Sequence, residues 1–199
     1  MGFNKLISTI LHPIVIPTIG VMLYFLLIPN SLLQNQKLTI LSLVFGVSYL
    51  IPLLILILLK KTRIIKNYQP KSIEERKLPI ALMTIVFYLF GNSLNSIANL
   101  RDLGLLFYAT SLGLFLTYIL FYFKIKASIH LLSFGISLGF FMVLSIDYAQ
   151  SFTIVIMIII LLAGLLASAR LHLKAHTPKD IYVGFFIGTV TPFYLQYLL

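Results

Sequence analysis

Residues 152–169, FTIVIMIIILLAGLLASA, carry no ionisable side chain. A helix of about 20 such residues is what crosses roughly 30 Å of hydrocarbon, so this run predicts a transmembrane span. Behind it comes a polar joint, ARLHLKAHTPKD at 169–180, and then a second apolar run at 181–199. Working outward toward the N-terminus, further runs fall at 130–147, 103–123, 79–99, 38–59 and 8–30. The connections are mostly short, which predicts antiparallel neighbours in one compact bundle. The expected fold is therefore all-α, a multi-pass transmembrane helical bundle of six or seven spans, with residues 1–199 forming one domain. The span at 79–99 is the weakest, because Asn92, Ser93, Asn95, Ser96 and Asn99 make its second half polar; it either crosses buried among other helices or bends back partway. The first run follows Lys5 as a signal peptide would, yet it is too long, lacks a small-residue cleavage site and contains Pro13 and Pro17. It reads as a kinked first helix.

Composition agrees. The chain is 60% hydrophobic and 10% charged, with a mean hydropathy of +1.04. A soluble domain is roughly a quarter charged, and so apolar a chain cannot stay disordered in water. The charges are lopsided, 15 Lys and Arg against 5 Asp and Glu, for a net +10. In an integral protein that balance points to lipid headgroups or phosphorylated substrates and away from nucleic acid. The absence of cysteine excludes disulfides, thiolate metal sites and cysteine nucleophiles. Gly135 with Gly139, and Gly184 with Gly188, have the spacing of close helix approach.

The polar joint holds the strongest local signal. Arg170, His176 and Asp180 stand in the order Arg, five residues, His, three residues, Asp, which this composition yields by chance roughly once in 500. Thr177 suits an N-cap, Pro178 the first helical position and Asp180 the third, a capping box opening the last helix. His176 then lies just outside a helix N-terminus, where N–H groups and the dipole favour an anion. Asp180 could also be a cap alone, with His176 as an interfacial residue; ionisable groups at membrane depth are costly, which favours a task for them. A second cluster, KASIHLL at 126–132, places Ser128 and His130 at a membrane boundary.

Counting crossings brings these segments together. The basic connection 60–78 has seven Lys and Arg and two acidic residues; if it lies on one face, two out-and-back excursions return 124–130 and 170–180 to that face. Thirteen of the Lys and Arg then share it, leaving Lys37 and Arg101 opposite.

The string from Arg170 to Asp180 resembles the third signature of the type 2 phosphatidic acid phosphatase superfamily, which reads Ser-Arg, five residues, His, three residues, Asp. Ser128-Ile129-His130 is similar to its second signature, Pro-Ser-Gly-His. Lys71 and Pro79 fit the first, Lys, six residues, Arg-Pro, with Leu78 in the arginine position and Ala169 in that of the third signature's serine. The resemblance covers about 71–190 and implies an integral membrane phosphatase acting on a lipid phosphate monoester or polyprenyl diphosphate. It implies His176 as a nucleophile that becomes phosphohistidine, Asp180 orienting it, and His130 as general acid and then base. Arg170, Lys71 and Ser128 would hold the phosphate, with no metal or cofactor. A degenerate member that binds or carries anionic lipid through the same cationic pocket is the alternative from another class. The expected location is the bacterial inner membrane. The positive-inside rule places the basic face in the cytoplasm, whereas the resemblance implies a site facing away from it.

Overall fold

The computed structural model describes residues 2–68 and 72–198. Every regular element among them is helical. Helix α1 is Phe3–Ile10 and α2 is Ile16–Leu27. Helix α3, Gln34–Phe45, passes through a π-helical turn at Gly46–Leu50 into α4, Ile51–Lys61. There follow α5 (Ile73–Asn95), a short 3-10 turn (Ala98–Leu100), α6 (Arg101–Tyr122), α7 (Ile129–Asp147), α8 (Thr153–His172) and α9 (Pro178–Leu198). Six helical stretches are long and apolar enough to cross a membrane: Gln34–Lys61, Ile73–Asn95, Ala98–Tyr122, Ile129–Asp147, Thr153–His172 and Pro178–Leu198. The chain is an all-α, multi-pass helical bundle.

The predicted first span, 8–30, is not one kinked helix. His12 precedes Pro13, whose ring disfavours the helical conformation in the residue before it. Helix α1 accordingly stops at Ile10, and a turn closed by the Val15 N–H donating to the His12 carbonyl at 2.9 Å leads into α2. Helix α2 alone rises only about 18 Å. With the residues after it, the segment still runs the full height of the bundle. His12 packs on His130 at one end, and Asn99 Nδ2 donates to Ser31 Oγ at the other, 3.3 Å away. Helix α1 packs against α8 near Arg170, with Ile7 and Ser8 buried and Phe3, Leu6 and Ile10 exposed. That apolar stripe on an eight-residue helix is the pattern of an in-plane interfacial helix.

The π-turn has a local cause. Pro52 has no N–H, and its ring would meet the Ser48 carbonyl one turn back, so the helix widens there instead of breaking. Buried Ser48 shares a 3.2 Å hydrogen bond with Thr18, which ties α2 to this helix.

The span predicted at 79–99 is one continuous helix long and apolar enough to cross, and it begins earlier, at Ile73, and ends at Asn95. Ser72 Oγ caps it by accepting from the Glu75 N–H at 3.3 Å. Its polar half is accommodated by α6, because Asn92 Oδ1 accepts from the Tyr108 hydroxyl at 3.1 Å. Gly104 lets the two backbones close; a Cβ there would meet Asn95 at 2.9 Å.

Helix α7 is apolar all round and occupies the centre, burying Leu131, Phe134, Phe140, Phe141 and Leu144. Its seam with α9 is formed by the glycines the spacing singled out. A Cβ on Gly188 would strike the Leu132 carbonyl, and one on Gly135 the Phe185 carbonyl. On Gly184 it would come within 2.5 Å of the Ser128 carbonyl. Backbone therefore rests on backbone, and an added methyl must push the helices apart. Gly188→Ala should cost about 1–3 kcal/mol of stability, the usual scale of overpacking. Gly164→Ala, with nothing within 4 Å of the new Cβ, should leave stability unchanged or raise it. Thermal unfolding of the two detergent-solubilised variants checks both signs.

At the end of the bundle remote from His176, Asp102 in the first turn of α6 accepts from Tyr24 (2.9 Å) and Tyr148 (2.7 Å), joining α2, α6 and the end of α7. A cavity of about 270 Å³ opens beside them and holds none of the candidate residues.

Candidate functional site

The capping box forms as the sequence predicts. Thr177 Oγ1 accepts from the Asp180 N–H at 3.3 Å, and Asp180 Oδ2 accepts from the Thr177 N–H at 3.1 Å. The same Oδ2 lies 3.4 Å from His176 Nδ1. Capping and orientation of the imidazole are thus two uses of one carboxylate oxygen. The His176 side chain is 3% exposed and Asp180 is half-buried.

The five-residue gap between Arg170 and His176 also has a structural reason. Helix α8 ends with Lys174 in the left-handed region (φ 49°), and the Ala175 N–H donates back to the Arg170 carbonyl at 3.1 Å. This is a Schellman-type reversal, which turns the chain back under the helix it has just left. His176 consequently faces the last turn of α8, within electrostatic reach of the Arg170 guanidinium. His172, on the same turn, is exposed and stays outside the cluster.

Ser128 and His130 come from the start of α7. The Ser128 N–H donates to the Asp180 carbonyl at 2.9 Å, which fixes the N-terminus of α7 against the first turn of α9. Arg170, His176 and His12 are the titratable groups near enough to act electrostatically on His130. The structure therefore brings together His176, Asp180, His130, Ser128 and Arg170. Lys71, the sixth predicted member, lies outside the described residues. Leu78, in the arginine position of the first signature, is 39% exposed, while Arg76 on the same helix comes within electrostatic reach of Asp180, His176 and Arg170.

Two neighbours join the cluster from the N-terminal segment: His12, whose place at the near end of the first run leaves its membership open in the sequence, and Ser8, which the sequence alone does not mark as a site residue. Arg170 Nη1 donates to Ser8 Oγ on α1 at 2.9 Å, and the His12 ring meets the His130 ring edge-on, with centroids 5.1 Å apart. The only sequence signal for them is that they are polar residues at the near end of an otherwise apolar first run.

Ser128 Oγ, His130 Nε2 and Arg170 Nε are buried and have no hydrogen-bond partner among the described residues. Leaving such an atom unpaired costs about 1–3 kcal/mol, and more beside a charge. Three in one cluster, drawn from two helices, mark a place made for a polar ligand. The cations around them set its sign as negative. No group of three or more His, Asp or Glu among the described residues is arranged to hold a metal ion.

Burial, then the positive charges of Arg170 and Arg76, push the His176 imidazole down from its ordinary 6.5 to about 4; Asp180 opposes them by hydrogen bond and charge. His176 is therefore neutral at physiological pH, with a lone pair to offer. Between pH 6.5 and 4 the unfolded chain binds a proton here that the folded chain does not, so acidification through that window destabilises the fold. Neutralising either arginine removes a charge that lowers the value. The His176 imidazole should consequently titrate at higher pH in Arg76→Gln, as an NMR titration of the ring would show.

Compared with family models, curated proteins and solved structures, this chain matches none.

Proposed function

We propose that the protein is an integral membrane phosphatase that hydrolyses a lipid phosphate, either a monoester such as phosphatidate or phosphatidylglycerophosphate or a polyprenyl diphosphate. The observation that carries this reading is the cluster of three unpartnered buried polar atoms, on Ser128, His130 and Arg170, around a neutral His176 held by Asp180.

The chemistry follows from the tautomer. A carboxylate at Nδ1 favours the proton on that nitrogen, which leaves the lone pair on Nε2. Nε2 attacks phosphorus as the P–O bond to the leaving group breaks, the lipid alcohol of a monoester or the polyprenyl monophosphate of a diphosphate, and the imidazole becomes a phosphohistidine. His130 acts in its protonated form, which the negative charge of the bound phosphate favours against the charge of Arg170, and gives that proton to the departing oxygen. It then takes one from the water that attacks phosphorus and breaks the P–N bond, releasing inorganic phosphate and restoring His176. Arg170 supplies a planar set of donors to the phosphoryl oxygens, and the Ser128 hydroxyl adds another.

A non-catalytic carrier of anionic lipid would use the same pocket. It is favoured by one detail: Asp180 Oδ2 already accepts from the Thr177 N–H and stands a long 3.4 Å from the imidazole. The test is phosphate release from a panel of lipid phosphates by the full chain in lipid nanodiscs, with and without vanadate and with and without a chelator. Vanadate-sensitive release from at least one lipid that survives chelation supports the phosphatase. Tight binding of the same lipids with no release on any timescale would make the protein a carrier.

A further inference from the structure

The phosphate pocket drawn from the polar joint and the start of α7 is short of neutral donors. Ala169, the residue just before Arg170, is buried and has no polar atom to offer. On the same side, α1 and the turn after it press two polar side chains into the cluster from a distant part of the chain. We propose that Ser8 and His12 are phosphate-binding residues, completing the pocket from the N-terminal segment. This rests on the phosphatase reading and names two binding groups of that same site.

Each residue has a proton placed to give. Ser8 Oγ accepts from Arg170 Nη1 at 2.9 Å, and a hydroxyl that accepts through a lone pair still keeps its own O–H. Ser8 is 8% exposed, and its backbone lies within reach of the His130 ring, which sets the residue between Arg170 and His130. His12 Nδ1 accepts from the Ile14 N–H at 3.4 Å, which leaves Nε2 as the protonated nitrogen. Burial first, and then the Arg170 charge, lower the His12 pKa. The ring is thus a neutral N–H donor, packed edge-on against His130. A charged imidazole would add another cation beside Arg170 and Arg76; a neutral one contributes a hydrogen bond without repelling them.

The local structure serves the placement. Pro13 keeps His12 out of helical geometry, so α1 ends instead of joining α2. Phe3, Leu6 and Ile10, which are exposed, give α1 an apolar footing in lipid while Ile7 and Ser8 are buried.

The experiment compares Ser8→Ala, Ser8→Thr, His12→Phe and His12→Gln with the wild-type chain in nanodiscs, using inorganic phosphate and vanadate as binding probes. KM and kcat for one lipid phosphate are measured beside them. Ser8→Ala should weaken vanadate binding and raise KM about tenfold or more, the scale of one hydrogen bond to a charged group, and Ser8→Thr should restore most of both. His12→Phe keeps the ring contact without the N–H and should weaken binding severalfold, whereas His12→Gln retains a neutral donor and should lose less. Thermal unfolding of each variant shows whether a loss reflects folding. If wild type binds the probes and Ser8→Ala binds them equally or more tightly, Ser8 blocks or ignores the site and this proposal alone is overturned. If wild type binds neither probe, the phosphatase reading fails first and takes the proposal with it.

Discussion

His176→Ala is expected to lower turnover of the preferred lipid phosphate by on the order of 10⁴-fold or more, the scale on which enzymes lose activity with their nucleophile. The expectation is this large because no neighbour can replace the residue. Asp180 is a weaker nucleophile fixed in a capping box, and His130 belongs to the first turn of another helix, where the proposed mechanism assigns it the leaving oxygen. A second measurement isolates the step. Quenching wild type in alkaline detergent with substrate radiolabelled in its phosphate should trap an acid-labile, base-stable phosphoryl group on the protein, and none should be trapped on the alanine variant. Because His176 is almost fully buried beside two arginines, truncation also removes a neutral group from a cationic site without stranding a charge, and the fold should survive. Undiminished turnover in a folded His176→Ala protein would sink the phosphohistidine mechanism.

Arg170→Lys is the second large expectation, a loss of about 10²–10³ in kcat, comparable to removing one preorganised donor from a transition-state site. The substitution keeps the charge, so a point-charge role for Arg170 predicts little change. Geometry argues otherwise. The guanidinium spends Nη1 on Ser8 Oγ while Nε remains buried and unpartnered, so its plane is set by one contact and its donor edge is free for oxygen. A lysine ammonium on a flexible stem cannot reproduce two fixed directions at once. A kcat deficit larger than the KM change would show that the fork acts on the transferring phosphoryl. Equal deficits in Arg170→Lys and Arg170→Ala would confirm that shape, more than charge, is what the residue supplies.

Much of this arrangement is written in short-range sequence. The capping box at Thr177 to Asp180 is local chemistry, and the bonds form where the residue types predict them. Crossing parity brings Ser128 and Asp180 to one end, and the Ser128 N–H to Asp180 carbonyl bond meets that expectation. The glycine pairs are legible because the need for close approach leaves a regular spacing. What escapes is whatever depends on distant partners. Ser8 lies 162 positions from Arg170, and nothing local to either residue predicts their bond. The break after Ile10 had a local signal in His12-Pro13, but prolines also kink membrane helices without ending them, so only the tertiary contact of His12 with His130 decides between the two. The polar half of α5 misleads for a related reason. Its asparagines look unfit for lipid until Tyr108 and Gly104 of α6 are seen beside them.

The glycine seam between α7 and α9 has an evolutionary consequence. Because Ser128 and Asp180 are held by backbone contact, side-chain drift on these helices has almost no means of changing the spacing of the polar cluster. The outward faces of α4 and α8, with Leu54, Leu58, Ile154 and Leu161 exposed, carry no such constraint. A lineage could therefore adapt these outer surfaces to a different lipid environment on their own, and the cluster around His176 would be inherited intact.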